Sequence, residues 1–169
     1  MIKPLLDRML GRKPRLSVLM VCSGNICRSP TAQAVLEKRL AELGLDKQVL
    51  VDSAGLESFH VGEPPDKRSQ KHAAHRGYDL SRQRARRFER ADFERFDLVL
   101  AMDQGHLASL RKRCPAELQG RLALLLGDAD VPDPFYGGPS GFDRVLDLIE
   151  PRCAQLAGEL AERLKSPGA

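Results

Sequence analysis

The chain alternates between short, almost wholly apolar runs and longer segments in which apolar residues recur every three or four positions. Residues 16–21, Leu-Ser-Val-Leu-Met-Val, have the length and character of a buried parallel strand. The run ends at Cys22. Beyond the turn Ser23-Gly24-Asn25-Ile26-Cys27-Arg28, the residues Ala32, Val35, Leu36, Leu40 and Leu43 return at helical spacing until Gly44 supplies a stop. Pro30 suits the first turn of that helix. Residues 49–54 form a second apolar run, so the first 54 residues read as a strand–helix–strand unit with a right-handed parallel crossover.

Gly62, Pro64, Pro65 and Gly77 then break the pattern, leaving room for one helix over 66–75. A strand is predicted over 96–102, followed by a helix over 104–113 that Cys114-Pro115 closes. A fourth strand is expected over 121–126. Residues 128–141 are rich in turn formers and read as loop. Phe142, Val145, Ile149, Cys153, Leu156, Leu160 and Leu164 mark a terminal helix, which Pro151 is expected to kink. Strand and helix alternate throughout, which predicts a single doubly wound α/β domain.

Composition agrees with one such domain. The 169 residues are 42% hydrophobic and 30% charged, the balance of a folded globular chain rather than a disordered one. The longest apolar run is strand-sized, far short of a membrane span. Residues 1–14 carry Lys3, Arg8, Arg12 and Lys13 without an apolar signal core, and are read as a basic extension to a domain over 15–166. Four cysteines without a leader predict free thiols in the cytoplasm. A net charge of +4 favours acidic or phosphorylated partners but is modest for a nucleic-acid binder, so no nucleic acid is expected. Within that charge, Arg82, Arg84, Arg86, Arg87 and Arg90 are read as a solvated face.

The candidate chemistry lies at the end of the first strand. Ligands of open parallel sheets bind beyond the carboxyl ends of strands, and Cys22 occupies such an end. Gly24 and Asn25 tolerate left-handed backbone, so the loop over Ser23, Gly24, Asn25, Ile26 and Cys27 can turn its N–H groups inward as an anion nest. The helix starting near Ser29 adds its positive end, and Arg28 brings a planar fork for phosphate oxygens. The same field stabilises Cys22 as a thiolate nucleophile, and the Ser29 hydroxyl can donate to it. Attack on a phosphate monoester needs an acid for the leaving group, and Asp133 is the candidate. It stands in Asp133-Pro134-Phe135-Tyr136-Gly137, whose aromatics are expected to exclude water around it. Phe135, Tyr136 and Phe59 are expected to wall a slot for an aromatic ring. Cys22 and Cys27 are too widely spaced for a zinc knuckle, and His72 and His75 lack neighbouring ligands, so neither metal nor cofactor is predicted. Cys27 reads either as a packed thiol or as a partner for a reversible disulfide with Cys22.

The segment 21–30, Val-Cys-Ser-Gly-Asn-Ile-Cys-Arg-Ser-Pro, closely resembles the signature loop of the low-molecular-weight protein tyrosine phosphatases. The resemblance continues through Asp52-Ser53-Ala54-Gly55, His60-Val61-Gly62, Arg84-Ala85-Arg86, Met102-Asp103 and the segment from Asp133 to Gly137. It implies a four-stranded parallel sheet with helices on both faces and a metal-free, two-step hydrolysis of phosphotyrosine. Cys22 is then the nucleophile, Arg28 the phosphate ligand and Asp133 the acid. It also implies that Asn25 and Ser53 support the loop, with Gln83 standing where a histidine is common and Phe59 where tryptophan is common. Two relatives with the same loop remain as alternatives. Arsenate reductases need two further cysteines near 80–95, where this chain has none, and arginine phosphatases tend to carry threonine where Ile26 stands. A non-catalytic phosphate-binding module is a third alternative. The implied partners are tyrosine-phosphorylated proteins, among them bacterial tyrosine kinases, met by a monomer or weak dimer.

Overall fold

A computed structural model of the protein describes residues 13–166. Most of the basic extension therefore lies outside the described residues. Four strands, β1 (Leu16–Cys22), β2 (Val49–Gly55), β3 (Leu98–Ala101) and β4 (Leu122–Leu124), form one parallel sheet in the order β2-β1-β3-β4. Among the described residues five helices accompany them: α1 (Arg28–Glu42), α2 (Lys67–His75), α3 (Asp92–Arg95), α4 (Gln104–Arg113) and α5 (Ser140–Lys165). A 3-10 helix, Ala116–Arg121, leads into β4.

The period of two along β1 divides the core. Leu16, Val18, Met20 and Cys22 face one layer with apolar residues of α1 and α5, while Leu19 and Val21 face the other with Phe93 of α3 and Leu107 and Leu110 of α4. Every residue of β1 is buried, as a central parallel strand requires. Met20 and Leu36 are fully buried within the first layer, each contributing about 1.5–3 kcal/mol of burial. The expected α/β architecture, with helices on both faces, is the observed one.

The differences are local. The fourth strand is three residues long because Arg121 still belongs to the 3-10 turn and Leu125 crosses into the opposite core layer. Two short elements, α3 and the 3-10 helix, were not anticipated, since four to six residues are too few to display a period. α5 runs unbroken from Ser140 to Lys165 through Pro151, which forgoes one backbone hydrogen bond without ending the helix. Ile149 and Cys153, on either side of the proline, are both fully buried in the first layer. No helix among the described residues is long and apolar enough to cross a membrane.

This strand order places the site. From β1 the chain crosses to β2 on one side, and later to β3 on the other, so the carboxyl end of β1 is the switch point of the sheet. Cys22 is the last residue of β1.

Candidate active site

The loop from Cys22 to Arg28 is closed by hydrogen bonds that use its carbonyls and spare its amides. Leu56 N donates to Cys22 O at 3.0 Å, Glu57 N to Ser23 O at 2.9 Å and Asp66 N to Ile26 O at 2.8 Å. None of the N–H groups of Ser23, Gly24, Asn25, Ile26 and Cys27 donates to another described residue. α1 begins without a side-chain cap, whereas Asp66 and Asp103 cap α2 and α4. The concave side of the loop thus gathers unpaired donors and a positive helix end, the requirements of an oxyanion.

Asn25 holds this shape. Its φ of 59° is the left-handed conformation that asparagine tolerates better than most residues. Its Nδ2 donates to Ser29 Oγ at 2.8 Å and Ser53 Oγ at 2.9 Å, and its Oδ1 accepts from Arg86 N at 3.0 Å. Ser53 passes its own proton to Gln33 Oε1 at 2.7 Å. Gln83 sits at the margin of the network: its Oε1 is 3.5 Å from Ser53 Oγ, and its Nε2 donates to Pro30 O at 2.9 Å. Gln33 therefore does the orienting that the sequence suggested for Gln83. Spacing alone does not reveal it, because Gln33 is one of several polar residues on α1.

Cys22 Sγ lies 3.0 Å from Ser29 Oγ, which already accepts from Asn25 and so has its proton free for sulfur. Arg28 is buried, and its Nη1 donates to Asp103 Oδ2 at 2.8 Å and to Val131 O at 3.0 Å. Its Nε–Nη2 edge makes no hydrogen bond with a described residue, and Nη2 lies 3.7 Å from Asp133 Oδ2. One side of the guanidinium anchors; the other is left open at the cavity that Arg28 lines. Asp103, the N-cap of α4, entered the sequence reading only within the resemblance and was not anticipated as the anchor of Arg28.

These groups line one cavity of about 250 Å³, with Cys22, Ser23, Gly24, Ile26, Cys27 and Arg28 as floor and Asp133, Phe135, Tyr136 and Phe59 on the rim. Glu57 and His60 complete the rim and were not anticipated; they arrive because the chain after β2 folds back over the loop. Phe135 packs edge-on to Tyr136 at 4.9 Å and under the Arg68 guanidinium at 5.3 Å. Phe59 and Tyr136 are 79% and 91% exposed, so both are free rim groups rather than loop anchors. The expected dry setting of Asp133 is not found: its side chain is 45% exposed, and Oδ1 accepts from Phe135 N at 3.0 Å in a local turn. The adjacent rings turn toward each other and toward Arg68 and leave the carboxylate open.

Other expectations divide. Cys22, Cys27, Cys114 and Cys153 are all free and buried. Burial pushes the Cys27 thiol up to about 12, so it is a protonated, packed thiol at neutral pH. Arg86 departs from the solvated series: it is half-buried, and its guanidinium bridges Asp52 and the fully buried Asp92 while its amide serves Asn25. Arg82, Arg84, Arg87 and Arg90 remain exposed.

A cysteine at the switch point of a parallel sheet, a five-residue nest of free amides and a buried arginine closing it fit the chemistry of a cysteine-based phosphate-monoester site. The model of the low molecular weight phosphotyrosine protein phosphatase family matches residues 17–166, and this chain belongs to that family. It is 41% identical over 161 residues to a low molecular weight protein-tyrosine-phosphatase of Streptomyces coelicolor, covering 90% of this chain and 98% of the relative. It is 37% identical over 141 residues to the low molecular weight phosphotyrosine protein phosphatase of Homo sapiens, covering 76% and 85%. Among solved structures, a protein tyrosine phosphatase from Entamoeba histolytica with Hepes in its active site superposes with a TM-score of 0.84 at 37% identity, covering 87% of this chain and 97% of that one.

Proposed function

We propose that this protein tyrosine phosphatase hydrolyses its substrates through a phosphate ester on Cys22. The observation that carries the mechanism is the convergence on one cavity of Cys22, the free loop amides and the open edge of Arg28, with the buried Ser29 hydroxyl 3.0 Å from the Cys22 sulfur. In the first step sulfur attacks phosphorus in line, an S–P bond forms and the P–O bond to the phenol breaks. Arg28 and the amides of Ser23 to Cys27 hold the equatorial oxygens as their charge shifts. Asp133 donates its proton to the leaving phenolate. In the second step Asp133 takes a proton from water, the water oxygen attacks phosphorus and the S–P bond breaks. The Ser29 hydroxyl donates to the departing thiolate, an orientation supported by the Asn25 amide already bonded to the same oxygen.

A planar phenyl ring is the favoured guest. Ile26, almost fully buried in the cavity floor, and the exposed faces of Phe59 and Tyr136 support a flat slot for it. The region 80–95 contains no cysteine, which disfavours an arsenate-reducing relay. The substrates are phosphoproteins, and a tyrosine kinase among them, action as a monomer or weak dimer, and a cytoplasmic location that keeps Cys22 reduced are parts of the same proposal. Residues 15–166 are assigned to the phosphatase domain, supported by the family match over 17–166, and 1–14 to an extension.

Cys22→Ser tests the assignment: it is expected to abolish hydrolysis of p-nitrophenyl phosphate without changing the fold. Wild-type turnover in that variant would remove Cys22 from the chemistry.

A further inference from the structure

Asn25 supports the phosphate loop from one side. On the other, a buried imidazole that the mechanism does not use touches the loop's first residue. His106, in the first turn of α4, is 6% exposed and places Nε2 2.8 Å from Ser23 Oγ. Its Nδ1 lies 3.2 Å from Asp103 Oδ1 but off the direction of a hydrogen bond. It is the one buried side-chain nitrogen or oxygen without a hydrogen-bond partner among the described residues. The same Asp103 oxygen accepts the His106 backbone amide at 2.9 Å, while Oδ2 holds Arg28. The cap of α4 therefore sets the ring's position as well as that of the guanidinium.

Burial is the main influence on the ring and lowers its pKa; Asp103 opposes this and Arg28 adds to it. A neutral imidazole carries one proton. A bare Nδ1 would turn its lone pair against the Asp103 carboxylate, so electrostatics assigns the proton to Nδ1 and leaves Nε2 to accept from the Ser23 hydroxyl. Ser23 lines the phosphate cavity, and its amide is one of the unpaired donors. A hydroxyl committed to His106 ties Ser23 to the capped start of α4, and this tether limits how far the residue and its amide can shift.

The geometry points to His106 as a positioning residue that acts through Ser23 to aim the first amide of the phosphate loop. This rests on the reading of residues 22–28 as the phosphate site. His106→Phe keeps a ring in the buried space and removes the acceptor; Ser23→Ala removes the same hydrogen bond from the other end. The measurement is competitive inhibition by inorganic phosphate, with kcat and KM for p-nitrophenyl phosphate alongside. Each variant should weaken phosphate inhibition about tenfold, the worth of one buried hydrogen bond. The double variant should lose no more than either single, because both break one contact. His106→Gln, whose amide oxygen or nitrogen can reach Ser23, should recover most of the loss. Unchanged phosphate inhibition in folded His106→Phe, or losses that multiply in the double variant, overturns the role. If His106→Phe fails to fold, Ser23→Ala decides alone, and unchanged inhibition there overturns it equally. Wild-type protein that phosphate does not inhibit would instead overturn the phosphate-loop reading and this inference with it.

Discussion

Gly55 ends β2 directly behind the phosphate loop, and replacing it by alanine tests how tightly that loop is placed. A Cβ at this position falls 2.7 Å from Ser23 O, 3.0 Å from Gly24 C and 3.1 Å from Asn25 Cβ. All three atoms belong to the loop backbone or to a β-carbon, so no flexible side-chain tip can yield. The loop must retreat until the shortest of these reaches at least 3.4 Å, where ordinary contact begins. β2 cannot give way instead. Gly55 N donates to Arg86 O at 2.9 Å, its carbonyl accepts from Phe88 N at 2.7 Å, and its Cα is in register with Cys22. Its φ lies outside the left-handed region, so alanine brings no backbone strain and the effect is steric. The retreat displaces Ser23, Gly24 and Asn25, three of the five loop residues whose amides are free. Misplacement of a reacting group by about 1 Å costs up to about 10²-fold, so kcat/KM for p-nitrophenyl phosphate is expected to fall tenfold to a hundredfold. Overpacking of this kind costs about 1–3 kcal/mol, and each kcal/mol lowers the thermal midpoint of a chain this size by about 2–4 °C. Steady-state kinetics with a melting curve gives both numbers. A folded Gly55→Ala enzyme within twofold of wild type in kcat/KM would refute the claim that close contact with β2 sets the loop.

Three further outcomes follow from the same geometry. Asp133→Asn should slow phenyl phosphate, whose leaving group needs a proton, at least tenfold more than p-nitrophenyl phosphate; equal slowing in steady-state assays would take Asp133 out of the acid role. Iodoacetamide near neutral pH should modify Cys22 and be blocked by phosphate, while Cys27 and Cys153, both pushed up to about 12 by burial, stay unlabelled in peptide mass spectra. Glu150 is the pH-dependent tie between α5 and the segment after α2. Burial acts to raise its pKa, but the Tyr78 hydroxyl at 2.5 Å and Arg76 at 2.6 Å outweigh it and hold the carboxyl below its usual range. A depressed carboxyl stabilises the fold fully above its unfolded pKa of about 4.3 and loses that contribution as pH falls through the folded value. Glu150→Gln should therefore cost about 1–2 kcal/mol in urea unfolding at neutral pH, with the gap to wild type shrinking below about pH 4.

The sheet was legible because each strand is a run of apolar residues that parallel pairing buries on both faces, and α1 and α5 because their apolar positions recur over several turns. Cys22, Arg28 and the loop between them could be read because their chemistry is local: seven consecutive residues between a strand and a helix. What stayed hidden is what the fold assembles from distance. Gln33 meets Ser53 across the α1–β2 packing, Asp103 reaches Arg28 across the sheet, and His106 meets Ser23 from the start of α4. Each is an ordinary polar residue on its own segment, and only the strand order brings it to the loop. Asp133 shows the converse. It lies 3.7 Å from Arg28, but two aromatic neighbours in sequence did not become neighbours that enclose it.

The central claim is that phosphate passes through Cys22. Acid quench of the enzyme during turnover of p-nitrophenyl phosphate, followed by peptide mapping, tests it directly. The Cys22 peptide should carry one phosphoryl group, absent in Cys22→Ser and short-lived when water completes the second step. Phosphate on any other residue, or turnover without a phosphorylated Cys22 under conditions where hydrolysis of the intermediate limits the rate, would contradict the mechanism.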